Sequence, residues 1–284
     1  MSNSLILKDS SFVEQSARQR VKQILDDGTM RELISPFDRV TSPWLAKQGI
    51  VLQFDDGVVI ARGKINGEET VVAAIEGSFQ GGSLGEVSGA KIAGILELAV
   101  EENTKGNPMS AVLILETGGV RLQEANLGLA AIAEIQSAII ALRKHRPVVA
   151  LVTGPVGCFG GMSISAALCS YIIMTREGRL GLNGPLVIEQ EAGIAEYNAS
   201  DRPFIWSLIG GKQRFESGLV DGYINDSQKS AREAVVDYLN LGVPAVHRSE
   251  KYCDLLEAFL QLNTQDQIAP QNAQQLLMEG VGHE

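Results

Sequence analysis

The sequence predicts an α/β fold in which parallel strands lie buried between helices. Two continuous apolar runs carry this reading, Ala111-Val-Leu-Ile-Leu115 and Val148-Val-Ala-Leu-Val152, within buried parallel strands expected over 111–116 and 148–153. Neither alternates polar with apolar residues, so each suits a sheet covered on both faces. Each is followed by a glycine turn and then a helical pattern. The first turn is Thr117-Gly-Gly-Val-Arg121, and the second is Gly154-Pro-Val-Gly-Cys-Phe-Gly-Gly161.

The remaining elements follow in chain order. Phe12 to Asp26 reads as an amphipathic helix with Val13, Ala17, Val21 and Ile24/Leu25 on one stripe, ended at Asp27-Gly28. Gly49–Phe54 and Val58–Ile65 read as strands, and Asn66-Gly67 joins the second to Thr70–Ile75 in a hairpin. After Ser78–Gly85 a helix runs to about Glu101, with Ile92, Ile95, Leu96 and Ala99 on its apolar face. Further helices are expected at about 122–145 and 161–169, strands at Tyr171–Thr175 and Leu180–Leu182, and helices near 203–210, 228–241 and 250–262. The divisions are a helical arm over 1–48, one α/β domain over 49–265 and a polar tail over 266–284.

Composition narrows the function. Of 284 residues 45% are apolar, ample for a large core, and the net charge of −10 argues against nucleic acid because no Lys/Arg cluster can neutralise phosphates. Cys158, Cys169 and Cys253 form no CxxC, so no zinc ribbon or disulfide framework is encoded. The first residues lack an export signal, and no apolar run approaches the roughly 18–20 residues of a membrane span. A cytoplasmic protein is expected.

The two glycine corners carry the chemistry. Without a Cβ, a ligand oxygen can approach the backbone closely. The first amides of a helix are unpaired and favour negative charge. Almost no titratable side chain lies inside either corner, so the pattern points to backbone oxyanion donors rather than a charged nucleophile. Gly160 and Gly161 are the favoured donors, since they directly precede the small-residue helix Met162–Ala167. Arg121 reads equally as a helix-start residue or as a ligand for a carboxylate or phosphate, with Glu124 favoured by the helix dipole. Cys158 has no accompanying base. Gly81-Gly82-Ser83-Leu84-Gly85 matches the G-x-S-x-G elbow of hydrolases, but only His145, His247 and His283 could serve it. A glycine loop leading into a helix, or one wrapping a ligand, is the better reading. No HExxH or Walker motif occurs, and no metal site is expected.

Taken in order and spacing, Gly63–Gly67, Gly81–Glu86, Gly118–Glu124 and Gly154–Gly161 resemble the acyl-CoA carboxyltransferase family of the crotonase superfamily, over about residues 12–225. Ala17-Arg-Gln-Arg20 and Leu25-Asp-Asp-Gly28 resemble its N-terminal helix. The four-cysteine ribbon of acetyl-CoA carboxylase β subunits is missing, as is the second crotonase-like half of propionyl-CoA-type enzymes. Ser35–Arg39, Ser42–Leu45, Leu182–Gly193 and Asp201–Phe215 are most similar to the biotin-independent malonate decarboxylase β-subunit branch.

The resemblance implies a crotonase-like (ClpP/crotonase) fold of repeated ββα units with an N-terminal helical arm. It implies decarboxylation of a malonyl thioester by an active site shared with a C-type γ subunit. The thioester is carried on the phosphoribosyl-dephospho-CoA arm of an acyl carrier protein, so no cofactor is bound by this chain itself. An acyl carrier protein transferase subunit belongs to the same assembly. Catalysis is then expected at Gly160, Gly161, Gly118 and Gly119, with the first corner shaping the acyl pocket. Substrate contacts are expected at Gly81, Gly82, Ser83, Val120, Arg121, Cys158 and Phe159, in an apolar site with Val156 and Met162. Large apolar surface should be exposed near the corners. The rivals are a carboxyltransferase subunit of a biotin-dependent carboxylase or decarboxylase, a crotonase-type hydratase, and a non-catalytic scaffold.

Overall fold

Alternation along the strands sends successive side chains into two separate cores, because strand neighbours point to opposite faces. In the computed structural model, residues 10–49, 56–124, 126–260, 272, 274 and 275 are described. The strands are β1 (Arg31–Leu33), β2 (Val58–Ile65), β3 (Glu68–Ile75), β4 (Ser110–Leu115), β5 (Val148–Val152), β6 (Tyr171–Thr175) and β7 (Gly222–Ile224). They form one sheet in sequence order, antiparallel from β1 to β3 and parallel from β3 to β7. β4 and β5 are wholly buried, as their unbroken apolar runs require.

One face of the sheet is covered by α3 (Glu86–Thr104), α4 (Asn126–Leu142) and α5 (Gly161–Leu168). Leu113, Leu115, Ala150 and Val152 point into that layer, with Ile92, Leu96, Ile135, Ile139 and Met162 from the helices. The intervening residues Val112, Ile114, Val149 and Leu151 face α1 (Ala17–Ile24) and α9 (Gln228–Asn240). A smaller cluster of Phe159, Tyr197, Ile205 and Ile209 lies beneath α7 (Arg202–Ile209).

The hairpin closes as its sequence dictates. Asn66 (φ 51°) and Gly67 (φ 83°) are both left-handed, the pairing a twisted two-residue turn demands. Asp26 holds that turn to the helical layer, accepting from the amides of Asn66 (3.0 Å) and Gly67 (2.8 Å) and from Arg232 of α9.

Several expectations need correction. The first helix starts at Ala17, because Ser16 caps it and Gln19 completes the capping box, so Phe12–Gln15 form a turn instead. The helix expected from residue 122 begins at Asn126, after a 3₁₀ turn at Leu122–Glu124. Leu180–Leu182 is not a ladder strand. Leu180 makes one parallel bridge to Cys158, which bridges Thr117 in turn, so the second strand of each repeat shrinks to a single extended residue. Short elements at β1, β7, α2 (Pro43–Lys47), α6 (Pro185–Ala192) and α8 (Gly211–Glu216) were not foreseen. The strand expected at Gly49–Phe54 and most of the polar tail lie outside the described residues. No helix among the described residues is long and apolar enough to cross a membrane.

Asp26 also makes the fold acid-sensitive. Burial opposes its ionised form, but the Gly67 amide, Arg232 and the Asn66 amide outweigh burial and hold the carboxyl below its ordinary 3.8. A depressed folded-state value gives stability that is present above 3.8 and lost as pH falls through the folded value. Asp26→Asn should therefore lower Tm at neutral pH and flatten the acid limb of the stability profile. Identical acid limbs in the two proteins would show that Asp26 does not carry it.

Candidate active site

The glycine corners sit at the carboxyl ends of β4 and β5, where neighbouring parallel strands deliver their loops side by side. Backbone hydrogen bonds lace them together: Thr117 N donates to Gly157 O (2.7 Å), and Phe159 N donates to Thr117 O (3.1 Å). The Gly81–Leu84 loop joins from the other side, with Gly118 N donating to Gly81 O (2.8 Å) and Leu84 N to Gly119 O (2.9 Å). Gly119 (φ 117°) and Gly160 (φ 61°) then face each other, and a Cβ on Gly160 would stand 3.3 Å from the Gly119 Cα. At both positions the backbone conformation is one that only glycine adopts freely.

Accounting for the amides revises the expected donors. Gly118 N is used by Gly81 O, Gly119 N donates to Thr117 Oγ1 (3.1 Å), and Gly160 N donates to Leu182 O (2.8 Å). Gly160 is thus not a free donor, because the Leu182 carbonyl takes the place a ligand oxygen would need. The amides of Val120 and Gly161 have no acceptor among the described residues. One unpaired donor therefore comes from each corner, rather than two from the second, and Gly161 opens α5 where the dipole adds to its positive end.

A cavity of about 470 Å³ opens beside the first corner and brings together Gly81, Ser83, Gly118, Val120 and Arg121, with Val40, Ser42 and Leu45 on its far wall. Arg121 is engaged internally: its guanidinium donates to Glu124 Oε1 (2.9 Å), Ser83 O (2.9 Å) and Asp56 O (3.3 Å). Ser83 Oγ accepts from Arg121 Nε (3.3 Å), which is no setting for a nucleophile. Gly82 is buried against the Glu116 carbonyl. Cys158, Phe159 and Met162 send their side chains into the core and not toward the cavity, so only their backbone borders the corner. Burial, with Cys169 beside it, pushes the Cys158 thiol far above its ordinary range, and it is inert as a nucleophile.

Two buried carboxylates explain three further glycines in the loops around the corners. A Cβ on Gly154 would lie 1.9 Å from Glu116 Oε1, and one on Gly77 would lie 2.6 Å from the same carboxyl carbon. A Cβ on Gly85 would lie 2.1 Å from Glu124 Oε1. Glu124 accepts from the Glu86 amide (2.7 Å) at the start of α3, and Glu116 pairs with Arg20 of α1 (2.7 Å). Sequence reasoning passed over Arg20, Glu116 and Thr153. The available signal was a carboxylate ending an otherwise apolar strand, with an arginine on the apolar stripe of the first helix.

The carboxyl transferase domain model matches residues 13–276. A malonyl-S-ACP:biotin-protein carboxyltransferase from Malonomonas rubra is 40% identical over 275 residues, covering 93% of this chain and 83% of that protein. The crystal structure of a Pseudomonas malonate decarboxylase hetero-tetramer in complex with malonate superimposes with a TM-score of 0.90 at 61% identity, covering 95% of this chain and 98% of that one. A Pseudomonas malonate decarboxylase hetero-dimer follows at a TM-score of 0.76 and 56% identity, covering 88% and 97%.

The cradles predict a contrast between two glycines. Gly154→Ala would drive a methyl into the Glu116 carboxylate and should destabilise the protein by about 1–3 kcal/mol or more. Gly94 is exposed inside α3 with nothing within 4 Å of its would-be Cβ, so Gly94→Ala should stabilise by roughly 0.5–1 kcal/mol. Denaturant unfolding measures both, and equal effects would refute the cradle.

Proposed function

Because the chain belongs to the carboxyl transferase domain family, we propose that it is the β subunit of a malonate decarboxylase, acting on a malonyl thioester. The observation that carries this reading is that each of two adjoining glycine corners leaves one amide, Val120 and Gly161, without an acceptor among the described residues. Losing CO₂ from a malonyl thioester breaks the bond between the carboxylate carbon and the α-carbon. The electron pair collects on the thioester oxygen as an enolate, and a proton later reaches the α-carbon. Fixed amides stabilise that oxygen more in the transition state than in the ground state, which is what speeds the step. No nucleophile is required, consistent with the inert Cys158 and the engaged Ser83.

The thioester arrives on an acyl carrier protein, whose phosphoribosyl-dephospho-CoA arm would enter the cavity lined by Gly81, Ser83, Val120 and Arg121. This chain supplies the first half of the site, and a C-type γ subunit supplies the second. Exposed apolar side chains bordering the corners support a missing partner: Leu122 (87% exposed) follows the first corner, and Leu182 (60%) and Leu186 (67%) flank the second. An acyl carrier protein transferase subunit would load the carrier. A second reading, transfer of the released carboxyl to a biotin protein, is favoured by the name of the Malonomonas relative. Avidin added to the assembled complex separates them, since only the second would be inhibited.

The donor assignment has its own test. A Cβ at Gly161 would stand 2.6 Å from Ile132 Cγ2, so substitutions there belong in an Ile132→Ala background. In that background Gly161→Ala keeps the N–H, whereas Gly161→Pro removes it at a helix position where proline is well accepted. The proline variant should turn over malonyl thioester about 10²–10³ times more slowly than the alanine variant. Equal rates in folded proteins would rule out the Gly161 amide.

A further inference from the structure

We infer that the buried ion pair between Arg20 and Glu116 is a positioning device that fixes the two donor-bearing corners relative to each other. The inference rests on the reading of Val120 and Gly161 as those donors. Glu116 directly follows β4 and begins the first corner, so its backbone belongs to one side of the site. Its carboxylate lies against the start of the second corner, in contact range of Gly154, and Val156 N approaches its Oε1 at 3.5 Å. It also lies against Gly77 in the loop after β3. One side chain therefore touches the loops that leave three adjacent strands.

Arg20 orients that side chain. Its Nη1 donates to Glu116 Oε2 (2.7 Å) and to Thr153 Oγ1 (3.1 Å), where Thr153 is the last residue before the second corner. The two side chains are 3% and 7% exposed, so the pair is dry and solvent cannot replace it. Arg20 is fixed in turn by the carbonyls of Phe12 (3.1 Å) and Val13. The amides of those two residues donate to Asp226 at 2.7 and 2.8 Å. A continuous chain thus runs from the loop before α9, through the N-terminal segment, to both corners. A buried pair that served stability alone could be replaced by apolar residues at little cost. A pair that sets geometry cannot, because a displacement of about 1 Å can cost about 10²-fold in rate.

The test uses the complete complex of this chain with its partner subunits and compares Arg20→Met, Glu116→Gln and the double variant Arg20→Met/Glu116→Leu. Each single variant leaves a buried polar partner unmatched and should lower Tm, while the double variant should regain much of that Tm. Despite the regained Tm, kcat of the double variant should remain about 10- to 100-fold below wild type, with KM changed far less. Recovery of kcat together with Tm would overturn the inference and leave the pair a stabilising contact only. Should the double variant fail to fold, Thr153→Val removes one acceptor of Arg20 with little change in shape. It should lose less Tm than Arg20→Met and still lower kcat, and an unchanged kcat in the folded variant would equally overturn the inference. A wild-type complex that does not decarboxylate malonyl thioester would instead defeat the proposed function, so the two failures are distinguishable.

Discussion

The backbones of Gly119 and Gly160 face each other closely enough that a Cβ on Gly160 would press to 3.3 Å from the Gly119 Cα, and the rest of the site is arranged around that contact. It requires β4 and β5 to be adjacent and parallel, since only then do two loops leave the sheet at the same edge pointing the same way. It also requires three loops to exchange backbone hydrogen bonds in place of the water they would otherwise bind. The layers of α3, α4 and α5 on one face and α1 and α9 on the other hold the sheet rigid beneath. The proposed amide-based site would need this rigidity, because a peptide dipole cannot reorient as a side chain can.

The buried charges beside the corners are paired internally. Glu116 and Glu124 are both buried, and both are answered by an arginine, Arg20 and Arg121 respectively. Each fills a space made by glycine, at Gly154 and Gly77 for the first and at Gly85 for the second. The glycine-rich character of these loops therefore has two physical origins. At Gly119 and Gly160 it permits a backbone conformation and a close approach. At Gly154, Gly77 and Gly85 it makes room for a carboxylate that ties one loop to the next.

The exposed apolar rim gives the site a second character. Leu122, Leu182 and Leu186 would be costly to leave in water around a reacting centre. In the proposed reading their position beside the corners suits a site completed by another subunit, since closing the rim would exclude water from a developing enolate. The solved relatives are a hetero-tetramer and a hetero-dimer, in keeping with such closure.

The sequence by itself determined β2 to β6, the hairpin and the two corners, because these follow from local rules. An unbroken apolar run reads as a covered strand, Asn66-Gly67 reads as a turn with two left-handed residues, and glycines at a strand-to-helix junction read as a close approach. The order of the motifs also carried the family. What only the tertiary structure decided was which amides are free. Gly160 and Gly161 are adjacent and alike in sequence, yet Leu182, 22 residues beyond Gly160, takes the amide of one and leaves the other. Arg20 and Glu116 were hidden for the same reason, being 96 residues apart. Hydrogen bonds between distant segments depend on how loops pack, and no periodicity along the chain records that packing.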